Sequence, residues 1–197
     1  LHLGYGIKKD ELEGWIGLIN AENPDIVLIA GDVVDNFAKP LFEDKVYKTL
    51  RRIKARYGVY MALGNHEYIG GKIDRNLNFL SQSNIQVLRD SATLIDNTFY
   101  IIGRDDASRK YRNSLANITD RLDHTKPMIV LDHQPSGFEE AQKCGIDLLL
   151  SGHTHGGQVF PISLVVRAIF KHSYGYHTAN GTHFYITSGL GIWGGKF

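Results

Sequence analysis

Four apolar runs in this sequence each end in side chains of the kinds that bind metal ions. The runs are residues 26–30, 59–63, 128–131 and 146–150. Continuous apolar runs of this length are typical of strands that are covered on both faces of a sheet. Open α/β sheets hold their ligands beyond the carboxyl ends of their strands. The four runs therefore predict one polar cleft, shared by the ends of four strands.

The polar side chains that follow these runs are of oxygen or nitrogen ligand types: Asp32, Asp35, Asn65, His66, His133, His153 and His155. The last two lie in a glycine-bounded turn, which relaxes the alternation of side chains and lets both imidazoles face one cleft. Neutral imidazole is the commonest metal ligand in proteins. Considered by itself, this turn has a simpler explanation, in which His153 and His155 are loop residues exposed to solvent. Ligands after four strands indicate a metal-lined cleft instead.

Between these runs the sequence alternates helical patterns with short strands. Leu12, Trp15, Ile16 and Ile19 have the spacing of an amphipathic helix over residues 10–20. Further helices are predicted over residues 41–55, 73–80, 114–122 and 138–143, and further strands over residues 86–88, 93–96, 99–102 and 183–187. Asp96-Asn97 predicts a hairpin turn. This order predicts an α/β sandwich with the helices of βαβ crossovers on its outside.

Composition excludes several classes of protein. The 197 residues are 43% hydrophobic and 22% charged, which is ordinary for a globular protein of one domain. The net charge of +1 gives no electrostatic reason to expect a nucleic-acid partner. Cys144 is the single cysteine, which excludes an intrachain disulfide and a cysteine-based zinc site. No run approaches the roughly 20 apolar residues that cross a bilayer.

Taken in order, these clusters resemble the signature of the calcineurin-like metallophosphoesterase family. The matching blocks are Gly31-Asp32-Val33-Val34-Asp35, Gly64-Asn65-His66-Glu67, the lone His133 and Gly152-His153-Thr154-His155. His2 matches the histidine of the family's first block, D-x-H, whose aspartate would directly precede Leu1. We therefore expect residues 1–197 to be a single domain that is truncated at both ends. The resemblance implies a four-layer αββα sandwich of two mixed sheets, with the metal site at the carboxyl ends of the strands.

The resemblance also implies two metal ions and a role for each ligand. A first metal ion would be held by His2, Asp32 and His155, with the aspartate expected before Leu1 as the fourth protein ligand. Asp32 would bridge to a second ion, whose other ligands would be Asn65, His133 and His153. Two cations about 4 Å apart would bind a hydroxide and clamp a phosphoryl oxygen. Mixed nitrogen and oxygen ligands suit Mn, Fe, Zn or Co, and ligand type does not choose among these metals.

The same resemblance implies catalytic roles for His66 and Asp35, and the positions of three other residues in the sequence suggest roles for them. His66 would protonate the leaving oxygen or stabilise the transition state, and Asp35 would orient its imidazole. The alternative for His66 is packing at the start of a helix. Glu67 is interpreted as a charge at a helix N-terminus rather than as a catalyst. Arg104 would reach a substrate phosphate or form a structural salt bridge, and Gly156 would bring backbone N–H groups to a phosphate or simply make the turn.

These residues favour a hydrolase of phosphate esters, and of diesters or pyrophosphates rather than monoesters. A non-catalytic scaffold of the same fold is the alternative, and the intact set of ligands makes it the weaker one. The near-neutral charge disfavours a nuclease. We expect a monomer.

A long insert over residues 159–180 combines apolar and aromatic side chains with Arg167 and Lys171. Helical spacing from Ile162 to Ile169 predicts a short helix packed on the sandwich. The other interpretation is an apolar rim beside the metals, with Arg167 or Lys171 facing the phosphates of a membrane surface. Gly156-Gly157-Gln158 and Thr187-Ser188-Gly189 resemble a bacterial subgroup that is often membrane-tethered or exported. That subgroup implies an envelope or lipid-linked substrate and a catalytic domain outside the cytoplasm.

Overall fold

Two β-sheets form the centre of the fold. The computed structural model describes residues 1–4, 7, 9–35, 39–69, 71–157, 170 and 172–191. In these residues one sheet has three strands and the other has six. The helices are α1 (Lys9–Ala21), α2 (Lys39–Glu43), α3 (Val46–Leu50), α4 (Ile73–Gln82), α5 (Leu115–Thr119) and α6 (Phe138–Lys143).

The smaller sheet is parallel throughout its described strands. It consists of β1 (Val27–Ile29), β2 (Val59–Ala62) and β3 (Ile85–Leu88), in the order β1-β2-β3. Parallel neighbours require crossover connections, and α4 supplies the one between β2 and β3. The central strand β2 is buried along its whole length, whereas β1 is only partly buried.

The larger sheet is mixed. Its strands are β4 (Ser91–Ile95), β5 (Phe99–Gly103), β6 (Met128–Leu131), β7 (Leu148–Ser151), β8 (Gly175–Ala179) and β9 (Thr182–Ile186). They lie in the order β4-β5-β6-β7-β9-β8, and only the two edge strands pair antiparallel with their neighbours. Asp96 and Asn97 join β4 to β5 with φ angles of 47° and 53°, the left-handed pair of a type I′ hairpin turn.

Three apolar clusters show how the layers stack. One joins the smaller sheet to α1, α3 and α4, and another joins the larger sheet to α5 and α6. The third lies between the sheets, where Tyr60 and Ala62 of β2 meet Ile101 of β5 and Leu131 of β6. Helices therefore cover the outer face of each sheet, and the predicted four-layer αββα sandwich is confirmed.

Most predicted elements are confirmed, and α6 begins and ends at its predicted residues. The predicted helix over residues 41–55 is wrong, because Lys45 has a φ angle of 54° and separates two short helices. Strand β8 lies within the predicted insert, and the helix predicted there over residues 162–169 falls outside the described residues. Every helix in the described part of the chain is too short or too polar to cross a bilayer.

Candidate metal centre

The loops after β1, β2, β6 and β7 bring four of the predicted ligands together. Nε2 of His133 lies 3.0 Å from Oδ2 of Asp32 and 3.2 Å from Oδ1 of Asn65. Nδ1 of His153 lies 3.1 Å from the same Asn65 oxygen and 3.2 Å from Nε2 of His133. Two of these loops belong to the smaller sheet and two to the larger one. The predicted cleft at the carboxyl ends of the strands therefore forms between the two sheets.

His2 and His155 complete the cluster on the other side of Asp32. Their Nε2 atoms are 2.9 Å apart, and Nε2 of His2 lies 3.6 Å from Oδ2 of Asp32. One carboxylate oxygen thus lies close to His133 on one side and to His2 on the other. The second oxygen of Asp32, Oδ1, accepts a hydrogen bond from the backbone N–H of His66 at 3.0 Å. That bond fixes the carboxylate with Oδ2 directed at the imidazoles.

His66 and Asp35 lie next to this cluster and contact each other. Nδ1 of His66 is 3.0 Å from Oδ1 of Asp35 and 2.8 Å from the carbonyl oxygen of the same residue. The His66 ring also meets the His2 ring edge-to-face, with 4.6 Å between their centroids. The pairing of His66 with Asp35 that the resemblance implies is therefore present in the structure.

The backbone around the cluster leaves no room for larger residues. A Cβ on Gly64 would lie 2.1 Å from Oδ1 of Asp32, and a Cβ on Gly31 would lie 2.5 Å from Nδ1 of His133. Several predicted ligands adopt the left-handed conformation, with φ angles of 50° to 67°: His2, Asp32, His153 and His155. This conformation is uncommon outside glycine, and such strain concentrates at functional sites.

Burial keeps several of the imidazoles neutral near pH 7. It lowers the pKa of His2 to about 3 and the pKa of His155 to about 4, and it also lowers the pKa of His153. Burial is the largest single effect on His133 and acts in the same direction, but its hydrogen bonds to Asp32 and Ala30 and the negative charges of Asp32 and Glu67 together outweigh burial and raise its pKa. Burial is also the largest single effect on Asp32, where it raises the pKa, but the hydrogen bonds and charge interactions with His133 and His66 together outweigh burial and lower the pKa of the carboxyl group. The cleft therefore presents an ionised carboxylate together with the neutral imidazoles of His2, His153 and His155.

This donor set fits metal ions. The ligand atoms of Asp32, His133 and His153 lie within 4.8 Å of one another, and so do those of His2, Asp35 and His66. Imidazole nitrogen with carboxylate oxygen suits the transition metals expected from the sequence. The second group differs from the expected first set, because it combines His2 with the predicted catalytic pair rather than with Asp32 and His155.

Glu67 has a role that the sequence interpretation missed. Its side chain is fully buried and accepts hydrogen bonds from the backbone N–H groups of Asp32 at 3.0 Å, Val34 at 3.0 Å and Gly64 at 2.8 Å. Burial raises its pKa to about 7. Glu67 thus links two loops through buried hydrogen bonds, whereas the sequence interpretation had treated it as a charge at a helix N-terminus. The available signal was its position directly after Asn65 and His66.

Arg104 lies in a buried ionic cluster. Its Nη1 atom is 2.8 Å from Oε2 of Glu140 and 3.3 Å from Oδ2 of Asp132, and its side chain is 7% exposed. Arg112 also binds Asp132. This geometry favours the structural salt bridge over the contact with a substrate phosphate. Gly156 has a φ angle of 63° in the turn after His155, so the turn itself accounts for a glycine there.

Known proteins are similar to this chain in both sequence and fold. The profile of the family described as "Calcineurin-like phosphoesterase" matches residues 1–157. An uncharacterized metallophosphoesterase of Helicobacter pylori is 33% identical over 98% of this chain and 53% of its own length. A protein of the same description from Aquifex aeolicus is 36% identical over 98% of this chain and 76% of its own length. The chain spans about half the length of the Helicobacter relative.

A third relative and one solved structure extend the comparison. A zebrafish (Danio rerio) protein named "Transmembrane protein with metallophosphoesterase domain" is 29% identical over 98% of this chain and 47% of its own length. A Staphylococcus aureus structure, provisionally named a 5′-nucleotidase, is 13% identical with a TM-score of 0.56, and it aligns over 97% of this chain and 45% of that chain. The structural likeness shows a shared fold. The family profile and the Aquifex relative together show that this chain belongs to the calcineurin-like phosphoesterase family.

Proposed function

We propose that this domain hydrolyses phosphodiesters or pyrophosphates at a binuclear metal centre, with Asp32 as the bridging ligand. One observation carries the proposal: Oδ2 of Asp32 lies 3.0 Å from Nε2 of His133 and 3.6 Å from Nε2 of His2. A carboxylate that faces ligands on two sides is suited to bridging two cations. The first ion would be held by His2, Asp32 and His155, and the second by Asp32, Asn65, His133 and His153.

The charge of the ligand set supports an anionic substrate. Among the proposed ligands only Asp32 is a carboxylate, and the imidazoles of His2, His153 and His155 have lowered pKa values. Two ions of Mn, Fe, Zn or Co would therefore leave the centre strongly positive. When bound, such ions polarise a phosphoryl oxygen and lower the pKa of water. The ligands of this chain would position the phosphoryl group between the loops of the two sheets.

His66 is proposed to serve the leaving group. Donation of its Nδ1–H to Asp35 fixes the tautomer and the ring orientation of the imidazole, as acidic partners commonly do. In this proposal Nε2 of His66 would donate a proton to the departing oxygen. Protonation accelerates the reaction most when the leaving oxygen is strongly basic. His66 would therefore contribute most to the hydrolysis of esters of ordinary alcohols.

A membrane-tethered or exported location is also proposed. The subgroup resemblance supports it, and so does the zebrafish relative whose name describes a transmembrane protein. The substrate would then be an envelope or lipid-linked phosphoester. Arg167 and Lys171, which would face the membrane in this proposal, lie outside the described residues.

Metal analysis combined with a panel of mono-, di- and pyrophosphate esters tests the proposal. The native protein should bind two metal equivalents and turn over the diester or the pyrophosphate fastest. Asp32→Ala should lose both equivalents and all activity, whereas the exposed Asp10→Ala control should keep both. Two equivalents in Asp32→Ala would show that the bridging assignment is wrong. A fully loaded native protein that hydrolyses none of these esters would favour the scaffold instead.

A further inference from the structure

A cavity of about 690 Å³ lies beside the cleft of the proposed metal centre. Its walls come from the loop after β6, from helix α6 and from strands β8 and β9. Five aromatic rings line it: Phe138, Phe170, His172, His177 and Phe184. Cavities of this size accommodate small organic groups. We call this space the aromatic cavity.

The aromatic cavity adjoins the metal centre at two places. The ring of Phe170 lines the cavity and contacts the ring of His153, with 5.9 Å between their centroids. Pro135 and Ser136 also line it, and they follow His133 by two and three residues. The cavity therefore borders the proposed metal centre, and the ring of Phe170 lies at the boundary.

The rings of the cavity are arranged to receive another flat ring. Phe138 meets Phe184 edge-to-face at 4.9 Å and His172 edge-to-face at 5.4 Å, measured between centroids. The rings of His172 and His177 overlap at 4.1 Å. Aromatic pairs prefer such offset and perpendicular arrangements, and they add attraction beyond the area that they bury. This lining favours a planar aromatic guest.

The charges around the cavity argue against a second phosphate as the guest. Among the described lining residues, Lys143 is the one lysine or arginine, and it is accompanied by Glu139 and Glu140. Glu140 accepts hydrogen bonds from Arg104 and from the backbone N–H of Leu115. The cavity thus lacks the excess of positive charge that a phosphate needs, while the adjoining metal centre would supply it.

We propose that the aromatic cavity binds a planar aromatic ring, carbocyclic or heterocyclic, that one alcohol component of the phosphoester carries. The proposal rests on the proposed function, because it needs the phosphoryl group to be held at the metals. It adds a specificity subsite whose wall includes Phe138, Phe170 and His177. Esters with an aromatic component are then preferred over their small alkyl counterparts.

Calorimetric binding of phosphonates to the metal-loaded protein tests the cavity without turnover. Methylphosphonate, phenylphosphonate and benzylphosphonate carry the same charged group and differ in the ring and its reach. We expect the better aryl ligand to bind about tenfold tighter than methylphosphonate, because ring stacking and burial together supply about 1.4 kcal/mol. Equal affinities for the methyl and both aryl ligands would overturn the proposal.

Variants assign any aryl preference to this cavity. His177→Ala removes one ring of the wall, and Ser136→Leu adds bulk to the lining from an exposed position without removing a buried side chain or adding a ring. Both should abolish the aryl preference and leave methylphosphonate binding unchanged. Tyr111→Ala, which removes an aromatic ring that is 86% exposed and lies outside the cavity, should keep the preference. An aryl preference that persists in both cavity variants would place the ring elsewhere and overturn the proposal.

Failure of the cavity and failure of the proposed function give different results. If the native protein hydrolyses bis(4-nitrophenyl) phosphate but binds all three phosphonates equally, the aromatic subsite is wrong and the proposed reaction stands. If the native protein binds aryl phosphonates more tightly than methylphosphonate but hydrolyses no ester, the aromatic subsite stands and the proposed reaction is wrong.

Discussion

Glu67 accepts a hydrogen bond from the backbone N–H of Asp32 at 3.0 Å, and its other bonds extend this contact to the next loop. The same carboxylate accepts from Gly64 at 2.8 Å, in the loop that carries Asn65 and His66. One buried side chain therefore fastens together the loops that follow β1 and β2. Asp32 links the same two loops a second time, because its Oδ1 accepts a hydrogen bond from the backbone N–H of His66. The position of the proposed bridging carboxylate depends on these bonds.

Replacement of Glu67 by glutamine should lower both stability and metal affinity. The amide offers one acceptor oxygen where the carboxylate has two, so at least one backbone N–H loses its partner. A buried donor without a partner costs about 1–3 kcal/mol. Urea unfolding of the metal-free protein measures the first effect, and metal titration measures the second.

Ser83→Ala is the matched control for this prediction. Ser83 is 1% exposed and donates to the carbonyl oxygen of Phe79 at the end of α4. Its loss should reduce stability without changing metal affinity. If Glu67→Gln weakened metal binding no more than Ser83→Ala does, Glu67 would stabilise the fold and not the site.

Replacement of His66 by asparagine should keep the metals and slow turnover selectively. Esters with basic leaving groups should lose far more activity than a 4-nitrophenyl ester, because an acid helps most where the leaving oxygen is basic. The acid's usual contribution is about a hundredfold or more. Steady-state kinetics on two diesters that differ in leaving group give the comparison. Equal losses on both would contradict the role of His66 as an acid.

Replacement of Arg104 by methionine should destabilise the fold and spare substrate binding. Arg104 pairs with Asp132, whose side chain is 0% exposed. Removing one partner of a buried ion pair costs about 3–5 kcal/mol. Urea unfolding should show this loss, while the folded fraction should keep the native KM for a diester.

The exposed Arg121→Met variant is the control, and it should change neither quantity. A raised KM in Arg104→Met with unchanged stability would restore the contact between Arg104 and a substrate phosphate.

The metal-free protein should lose stability as the pH falls from 6.5 towards 4. Burial lowers the folded-state pKa of His2 to about 3 and of His155 to about 4, from an ordinary value of 6.5. In this window the unfolded chain binds more protons at these residues than the folded chain does, so the free energy of unfolding decreases with decreasing pH. Glu67, whose pKa rises to about 7, acts in the opposite direction with a single proton.

Urea unfolding in the presence of a chelator measures this pH dependence. The paired variant His2→Asn with His155→Asn should show a flatter dependence over the same range, because its two amides do not titrate. An unchanged slope in the paired variant would show that the stability lost at low pH comes from other groups.

Local patterns account for the elements that sequence analysis predicted well. The apolar run of β6 and the helical spacing of α6 predict their bounds directly, because both periodicities depend on neighbouring residues. The same holds for the turn at Asp96 and Asn97. The proximity of Asp32, Asn65, His133 and His153 was also predictable, because each of them follows a strand end in sequence and parallel strands end at one edge. His2 precedes the first strand and was assigned only from the family resemblance.

Tertiary structure alone decided the features that depend on distant partners. Strand β8 is largely exposed and is defined by its pairing with β9. The break between α2 and α3 at Lys45 was not predictable, because no glycine or proline lies at that position. Arg104 finds Asp132 and Glu140 at separations of 28 and 36 residues, which turns a candidate phosphate ligand into a structural cation. Glu67 became a buried brace because backbone N–H groups 35 and 33 residues away converge on it. A carboxylate's burial and partners follow from the packing of the two sheets, which no local pattern encodes.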